Sequence, residues 1–402
     1  MKHGPDNTKP GMENLRTTPD GRYPACSTPG SIDPGASARV RIRLQVRTWM
    51  KILGSLMKKL CHMLAVCLLG VTITCLSSCS GSMMAEYPLP PGSYRPMGIT
   101  AGPDNNIWFT ELVANKIAKI TQAGKITEYR IPTAKSNPIS ITVGRDKALW
   151  FTQRAGNKIG RMTTTGHFTE YAVPTPRSGP YSITSSPDGN IWFTEFQGKN
   201  IGRITTSGLI TEYQIPPPVV NVAGQVVAGI PSSPVDITSG PDGNLWFTSI
   251  TSLIRNDIWK ISPSGQVTAY PVPSLGGQPS CITSGPDGNL WFTVHGGIPS
   301  KNPPGPNEIG KMTTDGRFTM YQIPTRGSRA LGITSGPDGN LWFVEEDGNK
   351  VGKISTSGHI SEYAIPTSGS RPEGITAGPD GTVWFTEYAV NKIGRMSTNT
   401  KR

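Results

Sequence analysis

The sequence predicts an all-β protein, a seven-bladed β-propeller of four-stranded blades with the last blade closed by the N-terminal strand. Three observations predict it. First, a stretch like Gly332-Ile-Thr-Ser-Gly-Pro-Asp-Gly-Asn-Leu-Trp-Phe343 occurs seven times, each copy carrying one tryptophan: Trp108, Trp150, Trp192, Trp246, Trp291, Trp342 and Trp384. The gaps between them are 42, 42, 54, 45, 51 and 42 residues, and a fixed period with occasional insertions marks a repeat architecture. Second, each repeat reads as four short strands with no stretch of helical period. Third, the seventh repeat, Arg371 to Arg402, stops after three strands. Text like its missing fourth stands before the first repeat, as Ala85-Glu86-Tyr87-Pro88-Leu89-Pro90.

The sixth repeat shows the elements in order. Leu331 to Ser335 is the first strand. Pro337-Asp338-Gly339-Asn340 is a turn, with proline presetting φ and glycine supplying φ > 0. Leu341 to Glu345 is the tryptophan strand, and Asp347-Gly348-Asn349 turns into the third, Lys350 to Ser355. After Ser357-Gly358 the fourth runs His359 to Ile365. Four antiparallel strands per ~40 residues is the pattern of a propeller blade, which buries its faces only against neighbours. The tryptophans and the Ile-Thr pairs are expected between blades.

The N-terminal part differs. Residues 1–56 are rich in Pro, Gly, Ser and Arg without apolar period. They are expected to be disordered, or to precede the natural start at Met57 or Met50. Residues 57–79 read as a secretory signal: Met57-Lys58-Lys59, an apolar run from Leu60 to Leu76, then Ser77-Ser78-Cys79. Leu76-Ser77-Ser78-Cys79 resembles the lipobox of bacterial lipoproteins. That resemblance implies cleavage before Cys79, lipidation of its sulfur, export, and a lipid anchor in the bacterial cell envelope. Residues 80–84 then form a tether, and 85–402 the propeller.

Charge is read on that division. The chain carries +12 formally, but residues 1–79 hold 11 Lys and Arg against 4 Asp and Glu. The remainder is near +5, with its cations spread one or two per repeat, so nucleic acid is excluded as a partner. Of six cysteines only Cys79 and Cys281 survive the expected processing, and no disulfide framework is available. Cys281 reads as a small core residue. A monomer is expected.

Strand order puts the second-to-third loops and the blade-to-blade connections on one face. All three insertions, Pro216–Ser232, Thr251–Asn256 and Gly296–Asn307, fall there, and long loops on a rigid scaffold are where binding sits. Two rings of residues are expected at the channel mouth on this face. One precedes Ile-Thr: Met97, Ile139, Tyr181, Val235, Ser280, Leu331 and Glu373. The other ends the tryptophan strand: Glu111, Gln153, Glu195, Ser249, Val294, Glu345 and Glu387. Converging carboxylates can hold a divalent cation or act as acid and base. That makes Glu111, Glu345 and Glu387 candidate metal ligands and Glu373 a candidate base. Tyr181, Glu195, Leu331 and Arg371 are candidate ligand-binding residues. His295, which opens the longest insertion, is the histidine placed to reach the mouth and is a candidate catalytic or metal-binding residue.

The repeat text Pro-x-Gly-Ile-Thr-x-Gly-Pro-Asp-Gly-Asn-Leu-Trp-Phe-Thr-Glu, then Asn-Lys-Ile-Gly-Arg, then Ile-Thr-Glu-Tyr-x-Ile-Pro, resembles the virginiamycin B lyase (streptogramin lyase) family. The resemblance covers Ala85 to Arg402. It implies Mg²⁺-dependent elimination that linearises streptogramin B antibiotics at their ester, with a histidine base. It also implies histidines before the Ile-Thr strand in the last two blades, where this sequence has Leu331 and Glu373. A family glutamate falls on Arg371, and a metal-binding one matches Glu387. Three functions stay open: the lyase reaction, a metal-dependent lactonase or esterase, and a non-catalytic propeller binding a small molecule or protein at the mouth, which the missing histidines favour.

Overall fold

The computed structural model describes residues 83–399, apart from 218, 223–224, 229–231, 251–255, 275 and 297–305. The expected signal segment, Cys79 and most of the second and third insertions lie outside the described residues.

The described chain is all-β, with seven four-stranded antiparallel sheets in a ring. We number the blades in chain order. Blades 1 to 3 span Pro96–Arg130, Pro138–Ala172 and Pro180–Gln214, and blades 4 to 6 span Ser233–Pro271, Gly277–Gln322 and Ala330–Ala364. Blade 7 holds Pro372–Ala377, Thr382–Glu387 and Lys392–Ser397, and Met84–Pro88 pairs antiparallel to the last of these. The first strand of each blade is innermost, and these inner strands neighbour one another in order, the seventh meeting the first. The Pro216–Ser232 insertion differs from the loop expected of it, since Val219–Val222 and Gln225–Ala228 form a two-stranded hairpin.

The core is seven inter-blade clusters. The tryptophan of each blade packs with the phenylalanine of the next: Trp108 with Phe151, Trp150 with Phe193, and so on to Trp384 with Phe109. All seven tryptophans are fully buried. Each stacks on a tyrosine of its own blade's outer strand, at 5.3 to 5.8 Å between ring centroids. Offset aromatic pairs of this kind add about 0.5–1.5 kcal/mol each beyond the area they bury.

The aspartate of the first-to-second turn explains itself in the same contacts. Asp104, Asp146, Asp242, Asp287 and Asp338 accept the indole N–H of their tryptophans at 2.8 to 3.1 Å. A lysine or arginine of the third strand, such as Lys119 or Arg161, lies over the same indole and pairs with the same aspartate. One carboxylate is thus used twice, within its own blade.

Candidate functional site at the channel mouth

Every inner strand carries a β-bulge at the same place, between Pro96 and Ile99 in blade 1 and at the equivalent positions in the other six. A bulge leaves its residues out of the ladder and re-aims them. The bulged residues here are the first expected ring, and they line the channel: Met97, Ile139, Tyr181, Val235, Ser280, Leu331 and Glu373. They surround a cavity of about 210 Å³. Cys281 packs against the core cluster of Trp291 and Phe343, as expected of it, and lines this channel as well; its thiol is pushed well up by burial and by Asp236.

The second expected ring is not at the mouth. Glu111, Glu195, Glu345 and Glu387 are fully buried inside their blades. The reason is strand alternation: a shift of one residue moves a side chain to the opposite face. The mouth is lined by the residues one position later, including Leu112, Arg154, Glu346 and Tyr388. His295 holds the same position in blade 5 but is half-buried, with its Nδ1 3.4 Å from the Gly296 carbonyl. Burial lowers its pKa and Arg329 adds to this, while the Gly296 carbonyl opposes it. It is not among the described residues that line the channel cavity or the two groove cavities around Arg371.

Each buried glutamate instead faces a second carboxyl of its own blade: Glu111 faces Glu128, Glu195 faces Glu212, Glu345 faces Glu362, and Glu387 faces Glu86. Burial first, then that neighbour, raises Glu111, Glu195 and Glu387 to about 8. Glu345 rises to about 7, again chiefly through burial. The outer partner is in turn held by a linker threonine and a lysine in blades 6 and 7, by Ser93 and Lys116 in blade 1, and by Thr175 in blade 3. Glu86 accepts from Thr367 N and Oγ1 at 3.0 and 2.8 Å and from Lys392 at 3.3 Å. The candidate metal ligands Glu111, Glu345 and Glu387 therefore sit in three separate blades and do not converge. Glu195 is likewise occupied inside blade 3 rather than presented to a ligand. Among the described residues no group of three or more His, Cys, Asp or Glu is placed to hold a metal ion. The donor set does not fit the Mg²⁺ site that the resemblance implies.

What does converge is a charged sector spanning blades 6, 7, 1 and 2. Glu346, only 4% exposed, is clamped by Arg329 at 2.7 Å and Arg371 at 2.6 Å. Arg371 also approaches Asp347, at 3.8 Å. Glu373 stands beside this cluster with no hydrogen bond or ion pair of its own among the described residues. Burial, reinforced by Glu346, raises it to about 7, although Arg329 and Arg371 pull the other way. Across the mouth Arg154 lies 5.7 Å from the ring centroids of both Tyr181 and Phe196. A cavity of about 340 Å³ joins Met97, Ile139, Arg154, Tyr181, Arg371 and Glu373. A second, of about 520 Å³, continues past Arg371 and Tyr388 to Arg95 and Tyr94 at the rim.

The structure thus brings Tyr181, Arg371 and Glu373 together, with Leu331 deeper in the channel. Sequence reasoning missed Arg95, Arg154, Arg329, Glu346 and Tyr388. The signal was present: one residue past the tryptophan strand the repeats diverge to Leu112, Arg154, Phe196, Ile250, His295, Glu346 and Tyr388. The position before it is mostly Glu or Gln, the mark of a structural site in a repeat.

The profile of the virginiamycin B lyase family matches residues 77–226 and 220–401. The chain belongs to that family. Among solved structures it is similar to a streptogramin B lyase, at 38% identity over 78% of this chain and 97% of that one, with a TM-score of 0.68. The selenomethionine-substituted virginiamycin B lyase from Staphylococcus aureus matches at 39% over 78% and 98%, also at 0.68. A catalytically inactive variant of the S. aureus enzyme, solved with quinupristin, matches at 38% over 78% and 98%, at 0.69. In this member of the family the mouth is furnished with arginines, Glu346 and Glu373.

Proposed function

We propose that this protein is a ligand-binding propeller of the virginiamycin B lyase family, exported and lipid-anchored through Cys79, that holds a small molecule at the channel mouth without linearising it. The observation that carries the reading is the arrangement around Glu346. Arg371 stands where the resemblance implies a glutamate and Leu331 where it implies a histidine. Arg371 and Arg329 are both committed to Glu346 at 2.6 and 2.7 Å. That leaves a polar, preformed groove next to apolar Met97, Leu112 and Ile139, the usual composition of a small-molecule site. Against a metal-dependent lyase or lactonase stands the fate of its candidate ligands among the described residues: the buried glutamates are consumed inside separate blades.

One observation favours a second reading. Glu373 is raised to about 7 at the edge of the groove, the pKa that suits a general base near neutral pH. In that reading it removes a proton α to a carbonyl and Arg371 steadies the developing negative charge.

Quinupristin decides between them. Full-length protein in detergent is titrated with it by calorimetry and then incubated with it and assayed by mass spectrometry. The binding reading expects saturable heat and intact antibiotic. Linearisation that vanishes in Glu373→Gln establishes the second reading, and neither heat nor product with any streptogramin B removes this ligand class. For the anchor, metabolic labelling with a fatty acid should mark the wild type and not Cys79→Ser; label in neither removes it.

A further inference from the structure

We propose that the mouth groove takes an organic carboxylate: an apolar or aromatic body seated on Met97, Leu112 and Ile139, with its anionic end on an arginine that has no carboxylate partner. This rests on the mouth-groove reading above and narrows the class of ligand.

Four arginines occupy one sector of the mouth, Arg329 and Arg371 from blades 6 and 7 and Arg95 and Arg154 from blades 1 and 2. The first two are neutralised by Glu346. The other two make no ion pair among the described residues. Both are nonetheless held in place. Arg95 lies 5.2 Å from the ring centroid of Tyr388, and Arg154 is shared between Tyr181 and Phe196 at 5.7 Å each. A guanidinium held against aromatic rings, with no carboxylate of its own, has N–H groups to offer an incoming carboxylate, in the fork geometry that matches two oxygens. Its rotamer entropy is already spent before the ligand arrives.

Backbone conformation sets where three of these arginines start from. The residue before each inner strand adopts a left-handed φ in blades 1, 2, 3, 6 and 7: Arg95 at 60°, Asn137 at 52°, Gly179 at 63°, Arg329 at 54° and Arg371 at 49°. Asn and Gly enter this region at least cost, and a long side chain there is strained. The chain uses them in blades 2 and 3, yet carries arginine in the three consecutive blades 6, 7 and 1. Long basic residues take the same φ in ordinary turns, at Lys135, Lys147, Arg177 and Lys199, so the φ values fix where the three arginines leave the backbone and do not by themselves mark a site.

The two free arginines belong to one groove. Arg371 and Tyr388 line both the axial cavity, which holds Arg154, and the rim cavity, which holds Arg95. The rim end carries Tyr94, 49% exposed, and Val113, 55% exposed. An elongated amphiphile can lie along it with its carboxylate at either end.

The test uses matched probes. A set of aryl and alkyl carboxylates, each paired with its primary amide, is titrated into the full-length protein by calorimetry and saturation-transfer NMR. Acids should bind at least tenfold more tightly than their amides, with the difference shrinking as salt is raised. Arg154→Gln, Arg95→Gln or both should lose that tenfold preference while leaving amide affinity and melting temperature unchanged. If acids and amides bind equally, and both are lost in Leu112→Asp, the groove binds ligands but the carboxylate proposal is overturned. If no probe binds at millimolar concentration, the groove reading falls with it. Inorganic phosphate competing as well as the best acid would overturn the need for an apolar body.

Discussion

A buried carboxyl beside a carboxylate is satisfied only while it keeps its proton and donates it. Glu387 shows the case plainly. Neither of its oxygens accepts a hydrogen bond from a protein donor, and Glu86 lies against it. Blade 2 supplies the control, because Gln153 stands at the same position and its Nε2 donates to Glu170 Oε1 at 3.0 Å. Blade 7 holds with a shared proton what blade 2 holds with an amide. The sign of the pH effect follows. The folded pKa of Glu111, Glu195 and Glu387 is about 8 and that of Glu345 about 7, above the ordinary 4.5. Folding therefore takes up protons between about pH 4.5 and 8, and this contribution is fully present below 4.5 and lost as pH rises. Glu86, Glu128, Glu170 and Glu362 are lowered, despite burial, by their threonine, serine and lysine partners. Their contribution is present above 4.5 and lost as pH falls. Glu387→Gln should raise stability by about 1–2 kcal/mol at pH 9 and leave it unchanged at pH 5. Urea melts at the two values check it, and an equal effect at both would remove the shared proton. The converse change, Gln153→Glu, should be neutral at pH 5 and destabilising at pH 9 by a similar amount.

At the scale of the blade, the repeat substitutes in matched sets. Where blade 4 has Ser249 in place of the buried glutamate, it has Ala269 in place of the outer one and Trp259 where blades 2, 3, 5, 6 and 7 have glycine. Trp259 fills the vacated space, stacks on Phe247 with planes 4° apart, and donates its indole N–H to Ser249 at 2.8 Å. In blade 6 the same place is closed to any side chain, since a Cβ on Gly352 would lie 2.1 Å from the Phe343 ring. Gly352→Ala should therefore cost about 2–4 kcal/mol by overpacking, read from chemical denaturation, and no loss would mean the ring can shift aside. The strand Met84–Pro88 carries two anchors, Glu86 on Thr367 and Tyr87 stacked on Trp384 at 5.6 Å. Deleting residues 84–88 should expose the edge of Lys392–Ser397 to other chains. Light scattering should then report aggregation, together with a fall in melting temperature; a monomer of unchanged stability would show that blade 7 needs no fourth strand.

At the scale of the molecule, the seven blades repeat in their walls and differ at their mouths. The clusters that join them, Trp342 with Phe385 for example, are the same around the ring. Trp342→Ala should cost about 3–5 kcal/mol, and unfolding should stay a single transition because each blade is held only by its neighbours. Among the described residues, the charge at the mouth gathers between blades 6 and 2. Glu373 sits there among Glu346, Asp347, Arg329 and Arg371. Its deprotonation near pH 7 adds a negative charge to the groove, so an anionic ligand should bind several-fold more weakly at pH 8.5 than at pH 6. Glu373→Gln should flatten that profile; a profile unchanged by the substitution would place the titrating group elsewhere.

The sequence by itself determined the number of blades, their strand order and the sealed core. These rest on local chemistry repeated around the ring: an aspartate turn in all seven repeats, Pro-Asp-Gly in five of them, alternating apolar residues, and one tryptophan in each second strand. It also found the ring of bulged residues, because they precede a recognisable Ile-Thr. Only the tertiary structure decided which face the strand ends present. Glu345 and Glu346 are adjacent in the chain, yet one is sealed against Glu362 and the other clamps two arginines at the mouth. Alternation fixes that they point to opposite sides, but which side is the channel depends on the twist of the blade and on the neighbour packed against it. The pairing of Arg329 and Arg371 on Glu346 joins two blades, and no spacing within one repeat encodes a contact between two.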